Sequence, residues 1–346
     1  MEFLDLPHIW AVFIAIAVML YVAFDGYDLG IGMLTAFAFS DQERNMMTAT
    51  IEPFWDGNET WLVLGGGGLF AAFPLAYAIL MPAFYLPILL MLAALIFRGV
   101  AFEFRHKAVR KQTQKFWNAA FAYGSLIATL SQGLILGGFI QGFTIEGRAF
   151  AGHTFDWFTP FSVLVALSMV AGYLLLGTTW LILKSEGELR DGSIKWAKRS
   201  LIGTALGMAL VSFATLSIDP RVTAKWGVSM AAIDFSKAVY MLPIPLACGG
   251  FMVWLWKDLF SGESPDWRPY LLAVGIFLTG YVGLGVSIFP YIVPFEVTIW
   301  EAAARDNALM LLFVGAAVML PIILAYTAYV HSLFWGKVKE GDGYHG

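Results

Sequence analysis

The sequence predicts an all-α integral membrane protein with about nine transmembrane helices, arranged as two four-helix bundles plus one extra helix. Composition is the first reason, since 59% of the 346 residues are hydrophobic and only 13% are charged, whereas soluble domains carry about 25% charged residues. The second is a series of apolar runs that approach the roughly 20 residues needed to span a bilayer. The third is the concentration of Lys and Arg in alternate connections.

These runs predict a single polytopic membrane domain over residues 1–346, with connections too short for an extramembrane domain. The predicted helices are 8–36, 55–78, 82–104, 118–141, 158–183, 199–218, 237–257, 269–290 and 307–334. Only Pro74 and Pro82 separate the second helix from the third. The first run has no basic n-region and no small-residue cleavage site, so we interpret it as a retained helix.

Positive charge predicts the orientation of these helices. Connections after the first, third, fifth, seventh and ninth helices hold about three times as many Lys and Arg residues as the opposite side. That opposite side carries only Arg148, Arg221, Lys225, Lys237 and Arg305. We therefore expect the N-terminus outside and the C-terminus in the cytoplasm.

Two acidic residues lie well inside the first predicted helix, in the segment FDGYDLGIG. Asp25 and Asp28 are three residues apart, so a helix places them on one face. A charged side chain at the centre of a spanning helix costs about 2.5–3.5 kcal/mol. The pair predicts a polar groove that protons or ions reach, or else aspartates that cap or pair near the helix end.

A second acidic face precedes the second predicted helix, in EPFWDGNETW. Glu52, Asp56 and Glu59 share one face if this backbone is helical. Burial in apolar surroundings raises a carboxyl pKa, which suits a proton relay. The alternative is a capping box built by Asp56 and Glu59, although this leaves Glu52 unexplained.

The third predicted helix ends in a run of charged residues, FRGVAFEFRHK. Glu103 and Lys107 have the spacing of a helical ion pair. Arg105 is interpreted as a snorkelling, salt-bridged residue at the helix end. Arg98 lies deeper, and we expect it to pair with a carboxylate, with Asp56 and Glu103 as the candidates.

Several classes of site are disfavoured by the sequence. The single cysteine, Cys248, excludes an intrachain disulfide and a cysteine-built metal site. Only His8 and His331 of the five histidines fall within predicted spans, so we expect no haem or metal ligands on this chain. Gly65–Gly68 lacks the Lys of a phosphate loop and predicts close helix packing. No basic patch indicates nucleic-acid binding.

Six segments together carry a resemblance to a known family. They are FDGYDLGIGML (24–34), PFWDGNETW (53–61), GGLFAAFP (67–74), FRGVAFEFR (97–105), SIFPYIVP (287–294) and PIILAYTAY (321–329). With these segments the chain resembles subunit II of the bacterial cytochrome bd-type quinol oxidases, whether ordinary or cyanide-insensitive. The resemblance extends from the first helix to the last.

The resemblance implies a complex in the bacterial inner membrane that oxidises quinol and reduces dioxygen to water. In that family subunit I carries two haems b and one haem d, while subunit II packs beside it and contributes a proton path. Small single-helix accessory subunits, lipid and a structural quinone are further expected partners.

The family's proton-path residues are carried over onto matching positions of this sequence. Asp56 corresponds to the inner carboxylate, and Glu103 and Lys107 correspond to the cytoplasmic mouth. Arg98 and Asp28 match the basic and acidic positions of their segments, and we add Asp25 and Glu59 as neighbours. Two departures are Phe54, where some members have histidine, and Glu103, where others have aspartate.

Two functions from other classes remain open on sequence alone. An ion-coupled secondary transporter would use the intramembrane aspartates to bind its coupling ion. A purely structural assembly partner would use the same carboxylates as caps and ion pairs.

Overall fold

The computed structural model describes residues 5–228 and 234–339, and most of them are helical. In chain order the helices are α1 (Leu6–Leu34), α2 (Asp41–Ala49), α3 (Trp55–Ala72), α4 (Pro74–Ala83), α5 (Tyr85–Lys107), α6 (Lys111–Gln141), α7 (Pro160–Lys184), α8 (Gly187–Thr215), α9 (Pro220–Trp226), α10 (Phe235–Met241), α11 (Pro243–Ser261), α12 (Trp267–Ile288), α13 (Ile299–Ala302) and α14 (Asp306–Leu333). A 3₁₀ turn, Thr35–Phe37, extends α1.

Two small antiparallel hairpins interrupt the helices. In the first, β1 (Ile145–Glu146) pairs with β2 (Ala149–Phe150) between α6 and α7. In the second, β3 (Tyr291–Val293) pairs with β4 (Val297–Thr298) between α12 and α13. Both hairpins lie in connections that the charge pattern assigns to the same side of the membrane.

Each of the nine predicted segments is helical over most of its length. Within residues 5–228 and 234–339, six helices are long and apolar enough to cross a membrane, and the number rises to eight if α8 with α9, and α10 with α11, each form one bent span. The remaining predicted segment is α3, which is not among these candidates because its first two turns contain Asp56, Asn58 and Glu59. The count of nine spans therefore stays a prediction.

Contacts between helices follow the predicted plan of two bundles plus one helix. The first group contains α1, α3, α5 and α6, and the second contains α7, α8, α11 and α12. Packing of α7 against α1 and α6 joins the two groups, while α14 contacts α1 and α3. The largest cluster of buried apolar side chains lies across this junction.

Glycines bring α1 and α7 into backbone contact at this junction. A Cβ atom on Gly30 would overlap the carbonyl oxygen of Tyr173, and one on Gly177 would lie 2.7 Å from the backbone nitrogen of Ile31. Such close approach of two membrane helices requires small residues. The crossing fixes the half of α1 that carries its acidic residues.

The chain's last described segment is tied to the start of α12. Asp266 accepts hydrogen bonds from Arg190 at 2.7 Å and from Lys337 at 2.5 Å, and Val338 donates its backbone N–H to the Lys184 carbonyl. Burial alone would raise the pKa of Asp266, but the hydrogen bonds from Arg190 and Lys337 outweigh it and lower this pKa. The four elements α7, α8, α12 and the C-terminal segment are thereby joined outside the apolar spans.

Candidate functional site

The most unusual feature of the interior is a group of charged side chains from three helices. It comprises Asp25 and Asp28 of α1, Glu59 of α3 and Arg98 of α5, and we call it the central charge cluster. Asp25 and Asp28 are fully buried, Arg98 is 1% exposed, and the side chain of Glu59 is 27% exposed. Four of the seven predicted site residues therefore meet at one place.

Arg98 is the centre of this cluster. Its Nη1 donates hydrogen bonds to Asp25 Oδ1 at 2.7 Å and to Glu59 Oε1 at 3.0 Å. Its Nη2 lies 3.8 Å from Asp28 Oδ2, which is an ion pair without a hydrogen bond. The predicted partners, Asp56 and Glu103, were wrong: Arg98 turns away from Glu103 on its own helix, and on α3 it meets Glu59, one turn after the exposed Asp56.

Several buried polar atoms of the cluster have no hydrogen-bond partner within the described chain. Asp25 Oδ2, Asp28 Oδ1, Arg98 Nε and Arg98 Nη2 are buried and make no hydrogen bond there. Three carboxyl groups also face one guanidinium, so full ionisation would leave two uncompensated negative charges. Buried charges without partners are costly enough that such groups neutralise instead. The arrangement therefore favours protons bound within the cluster.

Asn58 supports the acidic side of the cluster from α3. Its amide donates to Asp28 Oδ2 at 2.8 Å and to the hydroxyl of Tyr27 at 2.8 Å. The Tyr27 ring in turn stacks on Trp180 of α7, with centroids 4.0 Å apart. These contacts fix the orientation of Asp28, whose second oxygen stays without a partner.

A polar chain next to the cluster was missed by the sequence analysis. Gln132 of α6 donates to the Tyr21 hydroxyl at 2.7 Å and accepts from the Tyr173 hydroxyl at 2.8 Å. Tyr21 lies one turn before Asp25 on α1. An available signal was Gln132 itself, which is an amide within an otherwise apolar run.

Asp56 occupies a different environment from the central charge cluster. It lies in the first turn of α3, where its side chain is exposed. The residue that caps α3 is Phe54, and no side-chain hydrogen bond caps this end. The capping-box interpretation was therefore wrong, because Asp56 lies beyond the cap position and Glu59 turns towards Arg98.

The charged end of α5 divides into an exposed and a buried part. Glu103 and Lys107 form the expected ion pair, 3.8 Å apart and exposed. The interpretation of Arg105 as a snorkelling residue was wrong, because the residue is only 6% exposed. Its guanidinium donates hydrogen bonds to neutral groups of Asn45, Thr48 and Asn118. Neighbouring helices α2 and α6 cover it and supply oxygen acceptors.

The sequence analysis places no metal or haem ligand on this chain. Within residues 5–228 and 234–339, no three His, Cys, Asp or Glu side chains are grouped as a metal site. The imidazole of His331 contacts the Thr327 carbonyl oxygen at 2.8 Å and stacks on Phe54.

Comparisons with known proteins agree with each other over the whole chain. A family model described as cytochrome bd terminal oxidase subunit II matches residues 6–334. The cytochrome bd-I ubiquinol oxidase subunit 2 of Escherichia coli (strain K12) is 28% identical over 369 residues, covering 97% of this chain and 96% of the relative. The cytochrome bd ubiquinol oxidase subunit 2 of Bacillus subtilis (strain 168) is also 28% identical, over 348 residues and 98% of both chains.

A solved structure shows the same fold. One chain of the bd oxidase from Geobacillus thermodenitrificans superposes with a TM-score of 0.75 at 17% sequence identity. The match covers 96% of this chain and 99% of that one. The helical arrangement described above is therefore shared along the full length of both chains.

Proposed function

The chain belongs to the family of cytochrome bd terminal oxidase subunit II, and from that premise we propose how it serves the oxidase. The complex oxidises membrane quinol and reduces dioxygen to water, while this chain supplies a proton path and structural support to a haem-carrying subunit I. Two haems b and one haem d belong to that partner. The relatives are named ubiquinol oxidase subunits, which supports this function and not the ion-coupled transporter.

The central charge cluster is the observation that supports the proton path. One guanidinium balances one of its three carboxylates, and ionisation of the other carboxyl groups without a counter-charge is costly in a buried site, which favours protons on them. Asp25 and Asp28 each keep a buried carboxyl oxygen without a hydrogen bond, which is a position for such a proton. The cluster therefore serves as a proton store inside the membrane.

Residues outside the cluster connect this store to its surroundings. Glu103 and Lys107 collect protons at the exposed end of α5, the helix that also carries Arg98. Glu59 is partly exposed and bonded to Arg98, so it links the buried pair to the outer face of α3. Asp56 lies one turn earlier on that face and hands protons to subunit I.

Orientation and further partners complete the proposal. The distribution of Lys and Arg supports an N-terminus outside and a C-terminus in the cytoplasm, so the Glu103–Lys107 end faces the proton source. Labelling of single cysteines placed at each terminus tests this orientation. Accessory single-helix subunits and a structural quinone are expected from the family resemblance, and the quinol site belongs to subunit I.

The proposed proton path is tested by Glu59→Gln in the complete oxidase. This change keeps size and hydrogen bonding but removes the titratable group, so oxygen consumption with quinol should fall by about a hundredfold or more, as for loss of a general acid or base. Asp56→Asn should slow the same reaction.

A matched control is Glu146→Gln, which alters an exposed carboxylate in the β1–β2 hairpin and should leave the rate unchanged. Reduced-minus-oxidised haem spectra check that each variant assembles with subunit I. Full activity of Glu59→Gln and Asp56→Asn with normal haem content would contradict the path.

A further inference from the structure

The outer face of α11 carries an open furrow of about 720 Å³. Pro245, Gly249, Gly250, Val253, Trp254 and Lys257 line it. Their spacing of four, one, three, one and three residues places them on one side of a helix. This furrow lies in the second helix bundle, outside the central charge cluster and the proposed proton path.

Two consecutive glycines deepen the furrow, and contacts within the described chain do not account for them. A Cβ atom on Gly249 or Gly250 would meet no other atom within 4 Å. Each glycine in a helix interior costs about 0.8–1.0 kcal/mol relative to alanine. At Gly30, in contrast, the neighbouring backbone of α7 requires the missing side chain. The glycine pair therefore suits an occupant that comes from outside the chain.

The length of the furrow matches one leaflet of a bilayer. Pro245 and Lys257 are twelve residues apart, which corresponds to roughly 18 Å along a helix with a rise of 1.5 Å per residue. Half of a hydrocarbon core is about 15 Å thick. An extended acyl chain from one leaflet would thus follow the furrow while its headgroup reached Lys257.

The end of the furrow is cationic. Lys257 is exposed and has no salt-bridge partner among the described residues. Its neighbour Asp258 is already neutralised by Arg268, which bonds both of its oxygens. Trp254 and Trp256 closely precede Lys257 on the same helix, as expected at a membrane interface. A lysine near the membrane surface attracts anionic lipid with about 1 kcal/mol.

We propose that this furrow binds one anionic phospholipid, with an acyl chain along Gly249 and Gly250 and its phosphate beside Lys257. The head of a quinone carries no negative charge to pair with the Lys257 ammonium group, and a polypeptide helix would need the whole helix face rather than a furrow with a charged end. The site is independent of the proton path.

Native mass spectrometry of the complete oxidase tests the proposal. After delipidation, the oxidase is titrated with phosphatidylglycerol and with phosphatidylethanolamine. Lys257→Gln should weaken phosphatidylglycerol retention about fivefold, which corresponds to 1 kcal/mol, and should abolish the preference over phosphatidylethanolamine. Gly250→Leu fills the furrow and should reduce retention of both lipids.

Two variants serve as matched controls. Lys111→Gln removes another exposed lysine, and Gly285→Leu fills open space on α12; both should retain lipid normally. Unchanged retention in Lys257→Gln and Gly250→Leu overturns the proposal. So does recovery of a quinone or a polypeptide cross-linked to a photoreactive residue at position 250.

Discussion

Replacement of Arg98 by glutamine is the most direct test of how the central charge cluster is held together. The change removes the hydrogen bonds to Asp25 and Glu59 and leaves three carboxyl groups without a positive charge. Breaking a buried ion pair from one side costs about 3–5 kcal/mol. Because the carboxyl groups relieve part of this cost by binding protons, we expect a loss of about 3 kcal/mol.

The complementary change, Asp25→Asn, should cost less. Arg98 keeps Glu59 at 3.0 Å and Asp28 at 3.8 Å, so its charge stays compensated. We expect a loss of about 1–2 kcal/mol, as for one charged hydrogen bond. In the double variant the two losses should not add, because without the Asp25 carboxylate only two rather than three carboxyl groups lose the positive charge of Arg98.

Thermal unfolding of the purified oxidase measures these differences. At about 2 °C per kcal/mol for a large domain, Arg98→Gln should lower the apparent Tm by about 6 °C and Asp25→Asn by about 3 °C. Arg105→Gln is the matched control, because its hydrogen-bond partners are the neutral groups of Thr48, Asn45 and Asn118. Additive losses within about 0.5 kcal/mol, or a smaller loss for Arg98→Gln than for Arg105→Gln, would refute the reasoning.

Three further predictions concern other parts of the molecule. The folded-state pKa of Asp266 is lowered, so its carboxylate should stabilise the fold above its unfolded pKa of about 3.9. This contribution should vanish as the pH falls through the folded pKa. The Tm values of the parent and of Asp266→Asn should therefore converge below about pH 4. Gly30→Ala should prevent assembly or lower Tm strongly, as followed by haem content, whereas Gly192→Ala adds a Cβ in open space and should leave Tm unchanged or slightly raised. Glu103→Gln should slow oxygen consumption less than Glu59→Gln does, because the exposed mouth is reached by bulk water; an equal effect of the two would contradict this order.

The helices were predictable because apolar length is a local property of the sequence. Asp25 and Asp28 were also expected to share one face, and both are buried. Which helix packs against a given face of α1 or α5 cannot be read from the sequence of that helix alone. For that reason the carboxylates of α1 were not among the predicted partners of Arg98, although its closest carboxylate oxygen belongs to Asp25, 73 residues upstream.

Other features depend on contacts that the hydrophobic periodicity of the sequence does not reveal. Arg105 is buried because α2, a short polar helix absent from the predicted elements, supplies Asn45 and Thr48 as acceptors. The two hairpins are too short to give an alternating pattern. The second predicted helix, 55–78, is split at Phe73, because Pro74 begins the separate helix α4. The proline therefore marks the start of a new helix, whereas the sequence analysis continued the helix past it.

The long sequence separation within the central charge cluster has a consequence for biosynthesis. Asp25 is translated 73 residues before Arg98, and Glu59 precedes it by 39. At about 5–20 residues per second, Asp25 waits roughly 4–15 s and Glu59 roughly 2–8 s for their counter-ion. During that interval α1 should remain beside the insertion machinery, or enter lipid only with its aspartate side chains neutral. When α5 is inserted it brings Arg98, and only then does α1 take up its final position.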